Sequence, residues 1–211
     1  SPAAKILAGQ IGVAPPSEGS KLLNITDAAD ANKKIMDKVA MRTSQIIAAY
    51  HDLDRRASPN VLREHIEKLE EAKPEMPMSR LLYVVLARLY RWTGDLDKAI
   101  AMLTEFIERQ KKRERVPDDV DIAMPYWNRA CYFAQKAEQL AGQSPNSEEH
   151  EKIKKFKDKS LADLRKAIER IPRYKEDIGT DPDLRVIAKE HPELVILAPA
   201  IPADASQADA Q

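Results

Sequence analysis

From Thr26 onward, apolar residues recur at the three- and four-residue spacing of one helical face, at Ile35, Val39, Ile46, Ile47 and Tyr50. Thr26 stands where a capping oxygen is wanted, and Asp27 and Asp30 suit the positive end of a helix dipole, so the pattern predicts a helix over residues 26–55. Ser58-Pro59 is a second start signal, because proline at the first helical position forfeits an N–H that has no partner anyway. Val61, Leu62, Ile66 and Leu69 carry that stripe up to Pro74. The run MSRLLYVVLARLYRWT over 78–93 predicts a third helix, and Gly94-Asp95 turns the chain into a fourth over 96–113. So short a connection makes the two antiparallel.

Pro117 and the aspartates 118, 119 and 121 interrupt the periodicity before a fifth helix over 121–141. A loop from Gly142 to Asn146 leads to a sixth helix, opened by Ser147 with Glu148 and Glu149 and ended at about residue 171 by Pro172. Short helices are expected over 174–178 and 182–190, the second one capped by Asp181. No segment shows strand alternation bounded by turns, so the expected fold is all-α. Residues 1–25, with their scattered glycines and prolines, and residues 198–211, rich in Ala, Pro, Asp and Gln, read as flexible tails around a helical domain spanning 26–197.

Two stretches repeat one another. Tyr83, Leu86-Ala87 and Tyr90 precede Gly94, and Ala99 and Leu103 follow it; Tyr126, Arg129-Ala130 and Phe133 are followed by Ser160, Leu164, Ala167 and Pro172. The alanines have a physical reason, since two helices approach closely only where a side chain is nearly absent and large neighbours fill the space beside it. This order resembles the tetratricopeptide repeat (TPR), clearest over 79–113 and 121–172 and weaker over 26–74, where Pro74 would close a degenerate unit. The first unit departs from the family at Lys111, where a proline is usual, and the second helix of the second unit arrives eighteen residues later than in the first. Asp181-Pro182-Asp183-Leu184, following Asn128-Arg129-Ala130-Cys131, is similar to the closing unit of bacterial TPR-like arrays. The resemblance implies antiparallel helical hairpins stacked as a short TPR-like α-solenoid.

Composition narrows the chemistry. Over 211 residues, 34 Lys+Arg balance 34 Asp+Glu, so bulk charge makes no case for nucleic acid. No uninterrupted apolar run is long enough to span a bilayer. The lone Cys131 excludes an intrachain disulfide or a cysteine-based zinc site, and the four histidines, His51, His65, His150 and His191, lack metal spacing. The six glycines are isolated, so no phosphate-cradling loop is present, and the aspartates at 118–121 lack the glycine and glutamate of a calcium hand. No catalysis, cofactor or metal is expected. A cytoplasmic location is favoured, although a chain that opens on Ser1 leaves an upstream signal or anchor open.

What remains is recognition. In TPR-like arrays the first helix of each hairpin lines a concave surface, and Arg88, Arg91, Trp92, Trp127, Asn128 and Gln135 are the first-helix positions outside the packing pattern. The resemblance implies that such places contact an extended or helical peptide, and tryptophan with arginine is a composition that anchors interfaces. The competing expectation makes both tryptophans ordinary packing. The set that grips a C-terminal carboxylate in some family members is not reproduced. The expected function is thus a protein–protein scaffold or adaptor, in which reversing Arg88 and Arg91 together should leave the fold intact. The alternative is nucleic-acid or anionic-surface binding through Lys152, Lys154, Lys155, Lys157 and Lys159, assisted by the basic cluster at 111–115. Self-association through an uncapped repeat end is also open.

Overall fold

The computed structural model describes residues 25–113, 119–143 and 145–195. Both sequence-predicted tails, and the break at Pro117-Asp118, lie outside these residues, apart from Ile25. Among the described residues there is no strand, and the architecture is all-helical. Among the described residues six longer helices run in order: α1 (Ile25–Asp54), α2 (Pro59–Ala72), α3 (Arg80–Trp92), α4 (Leu96–Lys111), α5 (Asp119–Ala141) and α6 (Ser147–Arg170). A folded-back terminus follows, with short 3-10 turns around α7 (Lys175–Ile178) and α8 (Arg185–Glu190). The chain divides into two compact units, 1–41 and 42–211, so the first part of α1 belongs to one and its last turns to the other.

Local chemistry accounts for the boundaries. Ser79 caps α3 by accepting from the Leu82 N–H, and Asp95 caps α4 by accepting from the Lys98 N–H. Gly94 between them takes φ +87°, a left-handed turn that lets two helices follow one another across three residues. Three details correct the sequence expectation. Ser58 sits at the N-cap of α2 in extended conformation, but its hydroxyl makes no capping bond; Pro59 alone shapes that start. The sixth helix is opened by Asn146, not by Ser147: the Asn146 side chain accepts from the Glu149 N–H while the Glu149 carboxylate accepts from the Asn146 N–H. The apolar stripe of α1 is the third, for Ile35, Val39 and Ile47 are exposed and the buried face is Ile46, Ala49 and Leu53. In the unit to 41, helical residues of α1 are the only described element, so nothing described is there to bury Ile35.

Two hairpins form the centre of the second unit. Tyr83 of α3 meets Phe106 of α4 with ring centroids 5.3 Å apart. In the α5–α6 pair, Phe133 lies beside Phe156, Ala130 accepts from the Ser160 hydroxyl, and Arg129 meets Asp163. One partner number rises as the other falls, which is the signature of antiparallel packing. Ala87, Ala99, Ala130 and Ala167 are fully buried, as close helix approach requires. Helix α4 also packs on α5, α2 on α3, and α3 on α5, bringing the first helices of the two hairpins side by side. Ile178, Leu184 and Ile187 are fully buried and hold the terminal turns against α5 and α6. That docking positions the site described next.

Candidate functional site

Val84, Arg88 and Arg91 recur at helical spacing along α3; Met124, Trp127, Asn128 and Cys131 do the same along α5. Both rows face one open cleft of about 650 Å³. Its third wall comes from the terminus: Tyr174, Asp177 and the stretch Thr180 to Asp183. Pro172 ends α6, and the Asp181 carboxylate accepts from the Asp183 N–H to start the next turn, which turns that stretch toward α3.

Arg91 is the most constrained side chain here. Its Nη2 donates to Asp183 Oδ1 at 2.7 Å and its Nε to Gln135 Oε1 at 3.1 Å, with the guanidinium 6.0 Å from the Tyr132 ring centroid. Burial pushes the Asp183 carboxyl above its usual range, with Arg91 pulling the other way. The Arg88 guanidinium lies 5.2 Å from the centroid of Tyr50. Trp127 is half-buried, its ring 4.9 Å from that of Tyr174. Trp92, 47% exposed, lines instead a smaller cavity of about 280 Å³ with Arg91, Gln135 and Gln139. Arg91 borders both spaces, and the Gln135 Nε2 is buried beside it.

Cys131 is buried, and its thiol donates weakly to Asp181 Oδ2 at 3.7 Å. Burial, then the charges of Asp181 and Asp183, push that thiol well above its ordinary value, so it is not a ready nucleophile. Donor atoms of Cys131, Asp181 and Asp183 lie within 4.8 Å of one another. Two of the three already have duties: Asp181 caps a backbone N–H, and Asp183 holds a guanidinium that supplies the positive charge locally. The cluster therefore reads as an internal hydrogen-bond network. The cleft as a whole offers guanidinium donors, carboxylate acceptors and aromatic faces.

The five lysines of α6 do not form one face. A residue advances by about 100° around a helix, so Lys154 and Lys157 point away from Lys152, Lys155 and Lys159. Lys152 pairs with Glu148, Lys157 with Glu190, and the Lys159 ammonium lies over Phe133 and Phe156. Glu149, at the start of the same helix, serves its cap. Sequence reasoning brought forward four residues of the main cleft, Arg88, Arg91, Trp127 and Asn128, and missed its terminal wall. The Asp181-to-Leu184 motif was visible, but nothing in its spacing showed that its second aspartate reaches Arg91.

No family model matches the chain, no curated protein matches its sequence, and no solved structure matches its fold. Among the described residues, no helix is long and apolar enough to cross a membrane.

Proposed function

We propose that the second unit is a short array of TPR-like hairpins and works as a non-catalytic adaptor, holding a segment of a partner protein in the cleft between α3, α5 and the folded-back terminus. One observation carries the reading: Arg88, Arg91, Trp127 and Asn128, selected on two separate helices by their place outside the repeat pattern, line a single open cleft. Support for the array comes from the two antiparallel hairpins, the buried alanines at their close approaches, and the contact between α3 and α5. The half-buried Trp127 with Tyr174 beside it is a preformed aromatic anchor, and Arg88 supplies charge at the rim.

The test is affinity capture from native lysate, treated with nuclease and washed at low and then high salt, using the full chain, Arg88→Glu and Trp127→Ala. A stoichiometric protein held by the full chain and lost by both variants is the expected result. A protein held equally by all three chains, or recovery of nucleic acid alone, would remove the cleft from the function.

A further inference from the structure

On the other side of α5 from the cleft described above, α4, α5 and α6 enclose a groove of about 410 Å³. Its floor is the pair Arg129–Asp163, joined by two hydrogen bonds of 2.6 and 2.9 Å. Asp163 neutralises Arg129, and Asp97 at the rim is paired with Lys136. That leaves Lys159 and Lys166, which also line the groove and which have no ion-pair partner among the described residues. The chain as a whole is neutral, so this excess is a local property of the groove.

Aromatic rings place these two ammonium groups. Phe133 and Phe156 stack with centroids 6.1 Å apart, and Lys159 Nζ lies 5.4 and 5.8 Å from them. Lys166 Nζ lies 5.3 Å from the Tyr126 centroid. Cation–π contacts of this kind hold a long side chain that would otherwise sample many rotamers, so less ordering is needed when an anion arrives. The lysines are seven residues apart on one face, about 10 Å along the helix at 1.5 Å per residue. Ile100 and Ala162 add apolar surface between them.

We infer that this groove docks an acidic segment of a partner protein, with carboxylates about 10 Å apart reaching Lys159 and Lys166. A nucleic acid is the poorer occupant. Single strands bind by stacking bases on open aromatic faces, whereas Phe133 is buried and Lys159 already covers both phenylalanine rings. The inference does not depend on the Arg88 cleft, and no residue is shared between the two.

Fluorescence anisotropy tests it with the full chain and two labelled probes, an oligoglutamate peptide and an oligothymidine of equal length, at low salt. Oligoglutamate should bind, and Lys159→Glu with Lys166→Glu should weaken it about tenfold or more. Lys33→Glu with Lys34→Glu, the same change in net charge on α1, should leave it unchanged, as should Arg88→Glu. Circular dichroism checks the fold, and Lys159→Gln with Lys166→Gln replaces the reversal if helix content falls. Absence of oligoglutamate binding, equal loss in the Lys33/Lys34 variant, or tighter binding of oligothymidine would each overturn the inference. Loss on Arg88→Glu would move the site to the other cleft and overturn it too.

Discussion

Arg91 and Asp183, 92 positions apart in the chain, meet at 2.7 Å and tie the folded-back terminus to α3. The contact makes the third wall of the cleft, and it separates two arginines that look equivalent in sequence. Arg88 contributes a guanidinium resting on a ring; Arg91 contributes a guanidinium that a half-buried carboxylate needs.

The two charge reversals should therefore behave differently, against the expectation that both leave the fold intact. Arg91→Glu sets a carboxylate against Asp183, whose charge burial already disfavours, and should cost about 1–2 kcal/mol. Arg88→Glu should stay within about 0.5 kcal/mol. Urea unfolding measures both, and amide hydrogen exchange at Leu184 and Ile187 should accelerate only in the Arg91 variant. Unchanged exchange there would mean that the buried apolar residues alone hold the terminus.

Arg129 and Asp163 form a second pair distant in sequence, and this one joins the two helices of the second hairpin. Asp163 is 3% exposed, and Arg129 also donates to the Thr104 hydroxyl of α4. Arg129→Leu leaves a buried carboxylate without its partner and should cost about 3–5 kcal/mol, most of it regained in Arg129→Leu with Asp163→Leu. A double variant as unstable as the single would assign the loss to packing or to Thr104 rather than to the stranded charge.

What was legible in the chain follows from this contrast. Helix boundaries were readable because they are local: Asp95, Pro172 and Asp181 act within a few residues of themselves. The alanines at 87, 99, 130 and 167 were readable because a close helix approach needs a small side chain wherever it occurs. Arg129 was placed in the repeat pattern, but its partner lies 34 positions away, and Arg91 finds its own 92 positions away. Neither pairing has a period to announce it. The exposure of Ile35 and Ile47 was hidden for the opposite reason, since a helical stripe shows which face is apolar but not whether it is buried.

Stability should narrow at both ends of the pH scale through one network. Glu105 accepts from Lys73, Tyr83 and Arg109. Burial works against its charge, but those bonds together hold its carboxyl below the ordinary 4.5. Its contribution is therefore present above that value and lost as pH falls through the lower folded value. Burial, with Glu105 beside it, pushes Tyr83 up to about 12 from 10.0, so the tyrosine's contribution is complete below 10.0 and lost as pH rises toward about 12. Urea midpoints across this range should show Glu105→Gln flattening the acid limb and Tyr83→Phe the alkaline one. Each effect should be at most about 1 kcal/mol, because the network is partly solvated. An acid limb unaltered by Glu105→Gln would place the titration elsewhere.

Three small residues of the first hairpin, Gly94 at its turn and Ala87 and Ala99 in its core, should fail in two different ways. Gly94 has φ +87°, and a Cβ built there would meet no heavy atom within 4 Å, so Gly94→Ala adds no clash. Its cost is conformational alone, about 1–2 kcal/mol for an L residue in the left-handed region. Ala87 and Ala99 have ordinary backbones but no accessible surface, in a core that already holds Leu86, Leu103 and Phe106. Ala87→Trp or Ala99→Trp must displace those neighbours, and overpacking on that scale exceeds the 1–3 kcal/mol typical of smaller insertions. Gly94→Ala should thus lower the urea midpoint and keep the native near-ultraviolet circular dichroism, whereas either tryptophan variant should lose the tertiary signal. A tryptophan variant that kept it would show that α3 and α4 can move apart without loss of the fold, and the alanines would no longer explain their approach.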